Sequence, residues 1–201
     1  MIRVMPAQEP TSFDTNVRRP GRAYLRNNPN PSREQFRTAN YWKTCLAELC
    51  KSYKDICAYS GIWVPTNASV DHYIPKSIRP DLAYEWSNYR LALDKINNYK
   101  SDRVGVADPF TIEDGWFVLD FDSFYVLPNS ELEPEVKRTV QSTIYILRLN
   151  RDEAFINYRF KIVYAYAQGS MSYSHLQEYY PFISRELDRQ QLIEVIKTRF
   201  A

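Results

Sequence analysis

From Ser69 to Ile74 apolar and polar side chains alternate, Val70, His72 and Ile74 against Asp71 and Tyr73, and the pattern stops at Pro75. A period of two predicts a short strand, because successive side chains of an extended chain point to opposite faces. Pro75, Pro80, Asp81 and Ser87 all favour turns, so 75–87 is expected as a loop. Tyr89 to Leu93 predicts a second short strand, and Asp94 suits the N-cap of a helix running to about Ser101. The local order is strand, loop, strand, helix.

Helical periods flank this segment. Ser32 reads as an N-cap with Gln35 three residues on, and the helix is expected to break and resume near Ala39. Beyond it Tyr41, Trp42, Leu46, Leu49 and Tyr53 recur at about helical spacing, as core positions do. Gly115 to Leu127 alternates through Trp116 and Val118 to Phe121, and with Asp120 to Ser123 as a turn it predicts a small hairpin. Two or three helices are expected over 134–200. The first carries a stripe of Val136, Val140, Ile144 and Leu147. The next is capped by Asn150 or Asp152, runs through Phe155, Ile162, Val163 and Tyr166, and ends at Gly169. The last starts at Ser184 and carries Leu187, Gln191, Val195 and Lys197. The expected class is α+β, mainly helical.

Length and composition bound the organisation. A chain of 201 residues with 44% hydrophobic content can bury a core in one domain. The expectation is an arm over 1–31 and a single domain over 32–201. No run of about 18 apolar residues exists, so no membrane span is expected. The formal charge of +2 does not identify a nucleic-acid binder, which leaves distribution to decide. Between Val17 and Arg37 stand six arginines and a single acid, Glu34. Five of the twelve prolines fall in the first 31 residues, so this basic arm is expected to be extended. It would contact phosphate or strap across a partner protein, with a solvated tail as the plain alternative. Phe13, Val17, Tyr24 and Leu25 give it apolar side chains to dock. Three cysteines in a chain without a signal peptide fit free thiols in a reducing cytoplasm. The 16 tyrosines, crowded toward the C-terminal third, are read mainly as packing residues rather than base-stacking platforms.

The candidate chemistry lies in the strand, loop, strand, helix segment. One of only two histidines, His72, stands beside Asp71 and is followed by the amides Asn88 and Asn97. The end of the first strand would face the first turns of the helix, so Asp71 and Asn97 converge although 26 positions separate them. Carboxylate and amide oxygens suit a hard cation, and histidine suits a base that activates water. His175, in Tyr-Ser-His-Leu-Gln-Glu-Tyr-Tyr, lacks such company and reads as a surface or packing residue.

Asp71-His72, then Asn88, then Asn97 followed by Lys100-Ser101-Asp102, resembles the pattern of the HNH, or ββα-metal, nuclease family. The resemblance implies a ββα-metal finger over about 56–103 set in a helical scaffold. It makes His72 the general base, Asp71 and Asn97 the ligands of Mg²⁺ or Mn²⁺, and Asn88 the residue that braces the loop and orients the histidine. Lys76, Arg79, Lys95, Lys100 and Arg103 surround the finger as candidate phosphate clamps. Many members also carry two Cys pairs for a structural zinc. Here those positions are Cys57, Ser60, Leu93 and Ile96, one ligand of four, so no zinc is expected and Leu93 and Ile96 should fill the space as core.

Three flanking stretches resemble small HNH proteins of bacterial anti-phage systems of the Septu and retron type: Phe13 to Gly21, Glu85 to Asn88, and Ile146 to Asn150 followed by Arg159. That resemblance implies a metal-dependent endonuclease acting on DNA beside an ABC or SMC-like ATPase. The alternatives are an RNA substrate such as tRNA, or a non-catalytic module that binds nucleic acid or the ATPase.

Overall fold

The computed structural model describes residues 1–200. Its backbone divides into two compact units, Met5–Cys57 with Val64–Val104, and Met1–Val4 with Ala58–Trp63 and Gly105–Ala201. The elements are mainly helical, with two small antiparallel sheets.

The first unit opens with a correction. Where an extended arm is expected, a π-helical turn at Asp14–Arg18 runs straight into α1 (Arg19–Asn27). Proline counting misleads because position decides its effect. Pro20 sits in the first turn of α1, where a missing N–H costs nothing. Phe13 and Val17 are fully buried in a core that also takes Trp86, Tyr89 and Leu91. Gly21 is required by close approach, since a Cβ there would lie 2.1 Å from the Tyr84 ring. The expected cap at Ser32 is present as a complete capping box with Gln35, starting α2 (Arg33–Thr38). The chain breaks at Ala39, makes a 3₁₀ turn at Tyr41–Cys45 and continues as α3 (Leu46–Ser52).

The central segment follows the expected order. β1 (Ala68–His72) pairs antiparallel with β2 (Tyr89–Leu93), placing Asp71 opposite Arg90 and His72 opposite Tyr89. α4 (Asp94–Lys100) follows at once, with Leu93 rather than Asp94 as its cap residue. Asn97 and Lys100, one helical turn apart, both reach β1: Asn97 Nδ2 bonds Ser69 Oγ and the Val70 carbonyl, and Lys100 Nζ bonds Asp71. Ile96 is fully buried, Leu93 is half-buried, and the Leu93 N–H donates to Cys57 Sγ. The three cysteines are free, with Cys45 and Cys57 buried and Cys50 half-buried.

The second unit contains the expected hairpin, β3 (Phe117–Leu119) against β4 (Val126–Pro128), with Asp120 accepting from Ser123 in the turn. α5 (Pro134–Ile146) and α6 (Glu153–Ala167) follow. Asp152 caps α6, and Gly169 in the left-handed region (φ 72°) turns the chain after it. The expected last helix is two pieces, α8 (Pro181–Arg189) and α9 (Val195–Arg199), separated where Gln191 takes φ 58°. An unexpected helix, α7 (Tyr173–Tyr179), is capped by Ser172 and leaves His175 exposed against the Tyr179 ring. None of the described helices is long and apolar enough to cross a membrane.

Candidate active site

The alternation of β1 turns Asp71 and His72 to opposite sides of the strand, yet both are buried, at 2% and 6% exposure, and both line one cleft of about 530 Å³. Buried polar groups need partners, and each has them. Lys100, at 1% exposure, donates from Nζ to Asp71 Oδ1 at 3.0 Å and to the His72 carbonyl at 2.7 Å. The ammonium holds the carboxylate against the strand.

The His72 ring is fixed by one hydrogen bond and two aromatic edges. Nε2 lies 2.9 Å from the Ala83 carbonyl. A carbonyl only accepts, so Nε2 carries the proton and the neutral ring presents its lone pair at Nδ1. Trp42 and Tyr89 pack against the ring at centroid distances of 4.8 and 5.2 Å, both close to perpendicular. Burial, helped by the positive charges of Lys76 and Lys100, pushes the His72 pKa down to about 3, so the ring is neutral at physiological pH.

Asn88 ties the two ends of the loop together. Its Oδ1 accepts from the Ile74 N–H, and its Nδ2 donates to the Ile74 and Leu82 carbonyls. Leu82 precedes Ala83, whose carbonyl receives both His72 and the Tyr89 hydroxyl. Asn88 therefore acts on the histidine through the loop backbone and not by direct contact.

Asn97 also lines the cleft. Because the Val70 carbonyl only accepts, the amide nitrogen must face it, and Oδ1 is the amide's remaining polar atom. Asp94 and Asp102 line the same cleft. A carboxylate and an amide oxygen at one cleft are hard donors of the kind Mg²⁺ takes, and Mg²⁺ commonly uses only one or two protein ligands. The donor set fits, with one constraint: Lys100 already occupies one oxygen of Asp71.

The expected phosphate clamps separate. Lys76 lines the cleft, its ammonium 5.1 Å from the Trp42 ring and 5.8 Å from Phe36. Burial lowers its pKa, while Asp102 and Asp71 pull the other way. Lys100 is corrected from surface clamp to buried brace. Arg79 is ion-paired with Asp81 in the exposed loop, and Arg103 donates to the Tyr99 carbonyl. Lys95 is exposed on α4 and, like these two, does not line the cleft.

The basic arm also divides. Arg18 binds Glu9, Asp14 and Glu85, Arg19 binds Asp14, and Arg22 binds Glu85. Arg33 lines the cleft with Lys43. Sequence reasoning missed Trp42, Lys43 and the Ala83 carbonyl as parts of this site. The first two lie about 30 residues upstream on a different element, and a backbone carbonyl leaves no signature in sequence.

No protein-family model matches the chain, and no curated protein matches it.

Proposed function

We propose that this cleft hydrolyses phosphodiester bonds with a divalent metal, in the manner of an HNH endonuclease. The observation that carries the reading is His72, locked in one tautomer by Ala83 and set in the same cleft as Asp71 and Asn97. Nδ1 is the base that takes a proton from the attacking water. Asp71 and the Asn97 amide oxygen would hold Mg²⁺ or Mn²⁺. When bound, the metal supplies positive charge that offsets the phosphoryl and leaving oxygens. Lys100 positions the Asp71 carboxylate, Asn88 keeps the loop closed over the histidine, and Trp42 and Tyr89 exclude water from its faces. The low basicity of His72 comes from desolvation and two nearby lysines. An anionic phosphate entering beside Lys76 offsets those charges and makes His72 a stronger base when substrate is present.

We take DNA as the polymer, and control by an ABC or SMC-like ATPase in anti-phage defence as the setting, both on the sequence resemblance. A second reading is favoured by one observation, the buried Lys100–Asp71 pair. If that pair permanently neutralises Asp71, the segment is a scaffold for binding and performs no hydrolysis.

The test is incubation with duplex DNA, single-stranded DNA and total RNA in Mg²⁺ or Mn²⁺, with EDTA and His72→Ala as controls. Cleavage that disappears with both controls is expected, and the polymer cut names the substrate. Equal behaviour of wild type and His72→Ala on every substrate, with and without an ATPase partner, moves the conclusion to the binding reading.

A further inference from the structure

We infer that the cleft continues into a track for the phosphate backbone of a nucleic-acid strand, built on α2 and the turn after it, with Arg33, Lys43 and Lys76 as its phosphate contacts. This rests on the phosphodiesterase reading and deepens it, because it makes the substrate a polymer that extends beyond the cleaved bond on one defined side.

Three observations carry the inference. The first is continuity. A groove of about 440 Å³ adjoins the cleft and shares Arg33, Phe36, Trp42, Lys43 and Lys76 with it, then adds Arg37 and Asn40. The second is the sign of charge. The acids of the cleft, Asp71, Asp94 and Asp102, all stand on β1, α4 and the residues just after α4, whereas the groove is lined by four cations and no acid. A phosphodiester lying across the cleft would meet oxygen donors on one side and cations on the other. A single anion needs only one such contact, and a row of cations leading away matches the repeating charge of a backbone.

The third is availability. Arg18, Arg19 and Arg22 are bound to Glu9, Asp14 and Glu85, and Arg37 pairs with Glu34. Arg33 and Lys43 are exposed and make no ion pair with a carboxylate among the described residues. Lys76 is held by the rings of Trp42 and Phe36. Those rings are themselves buried, at 8% and 2% exposure, so they position a cation and leave no face on which a base could stack. The track therefore reads backbone and not sequence.

The experiment measures binding apart from cleavage. The full chain carrying His72→Ala is titrated, in EDTA, against labelled duplex DNA, single-stranded DNA and single-stranded RNA by fluorescence anisotropy over a salt series. Adding Arg33→Ala and Lys43→Ala should reduce the slope of log K against log salt by about 1.4 to 1.8, the loss of two phosphate contacts at roughly 0.7 to 0.9 each. Adding Arg19→Ala and Arg22→Ala should leave it unchanged. The polymer showing the larger difference identifies the strand carried. The four added substitutions are all at exposed side chains, and circular dichroism of each variant against the His72→Ala parent checks that the fold is kept. Equal slopes for both double variants, or no salt-dependent binding of any polymer, overturns the track. Turnover of bis(p-nitrophenyl) phosphate that disappears with His72→Ala would leave the hydrolytic chemistry standing even then.

Discussion

The two units bury polar side chains for different ends. In the hairpin unit Thr143, Arg159, Ser184 and Glu186 are all buried, and each is spent on a structural bond. Arg159 donates to the Phe124 and Leu149 carbonyls, Thr143 accepts from the Ala107 N–H, Ser184 donates to the Pro181 carbonyl, and Glu186 accepts from the Leu119 N–H. In the strand, loop, strand, helix segment Asp71, His72, Asn88 and Lys100 are equally buried, but Asp71 and His72 also face an open cleft. Burying polar groups is costly wherever it occurs. Satisfying them against the backbone explains the first set. The second set stands at an open cleft and includes a histidine that spends only Nε2 on the loop backbone, which packing alone does not require.

The strongest way to break this contrast is to remove one member of each set. His72→Ala should reduce phosphodiester cleavage by 10²-fold or more, the scale of a lost general base. Its melting temperature should fall too, because the buried ring's packing on Trp42 and Tyr89 and its bond to the Ala83 carbonyl are lost, but cleavage per folded molecule should fall far more. Arg159→Met should do the reverse: two buried carbonyls lose charged donors, about 2–4 kcal/mol of stability, with cleavage per folded molecule unchanged. Differential scanning calorimetry beside a cleavage assay reads both. Should Arg159→Met lose activity without losing stability, the division of roles fails.

A second test is the pair that joins structure to site. Lys100→Met removes the ammonium from the buried Asp71 carboxylate and should cost about 3–5 kcal/mol, as breaking buried ion pairs does. Asp71→Asn with Lys100→Met should recover much of that stability while cleavage stays lost. Denaturant titration of the single and double variants gives the coupling. Additive effects would mean that the pair is not what holds α4 to β1.

Much of this was legible in sequence where the signal is local. The period of two marks β1, and the Ser32–Gln35 capping box marks the start of α2. Asp71, His72, Asn88 and Asn97 stand out in sequence because their order and spacing resemble a family pattern, and the fold brings Asp71, His72 and Asn97 to one cleft. What was missed is long-range or depends on context. The prolines of residues 1–31 suggested extension, and burial of Phe13 and Val17 draws that segment into helix instead. A lysine at a helix C-terminus reads as a surface cation, and only the fold shows Lys100 closed over Asp71. The arginine-rich stretch read as one basic arm, yet Glu9, Asp14 and Glu85 hold three of its members and leave Arg33 facing the cleft.

The smallest expected effect tests how completely the cleft unit shields its histidine. Burial takes the His72 pKa from 6.5 in the unfolded chain to about 3 in the fold. Between those values the unfolded state binds the proton and the native state does not, so stability rises with pH. The contribution of His72 is fully present above pH 6.5 and is lost as pH falls, at about 1.4 kcal/mol per unit well below 6.5. His72→Gln removes this term and leaves every other titrating group in place. Urea midpoints measured at pH 7, 6, 5 and 4 should therefore fall more steeply for wild type than for His72→Gln, with the gap opening below pH 6. Parallel lines would mean that His72 takes its proton in the folded state as readily as in the unfolded one. The ring would then be in contact with water, and the buried polar set of the cleft unit would be no more protected than an exposed one.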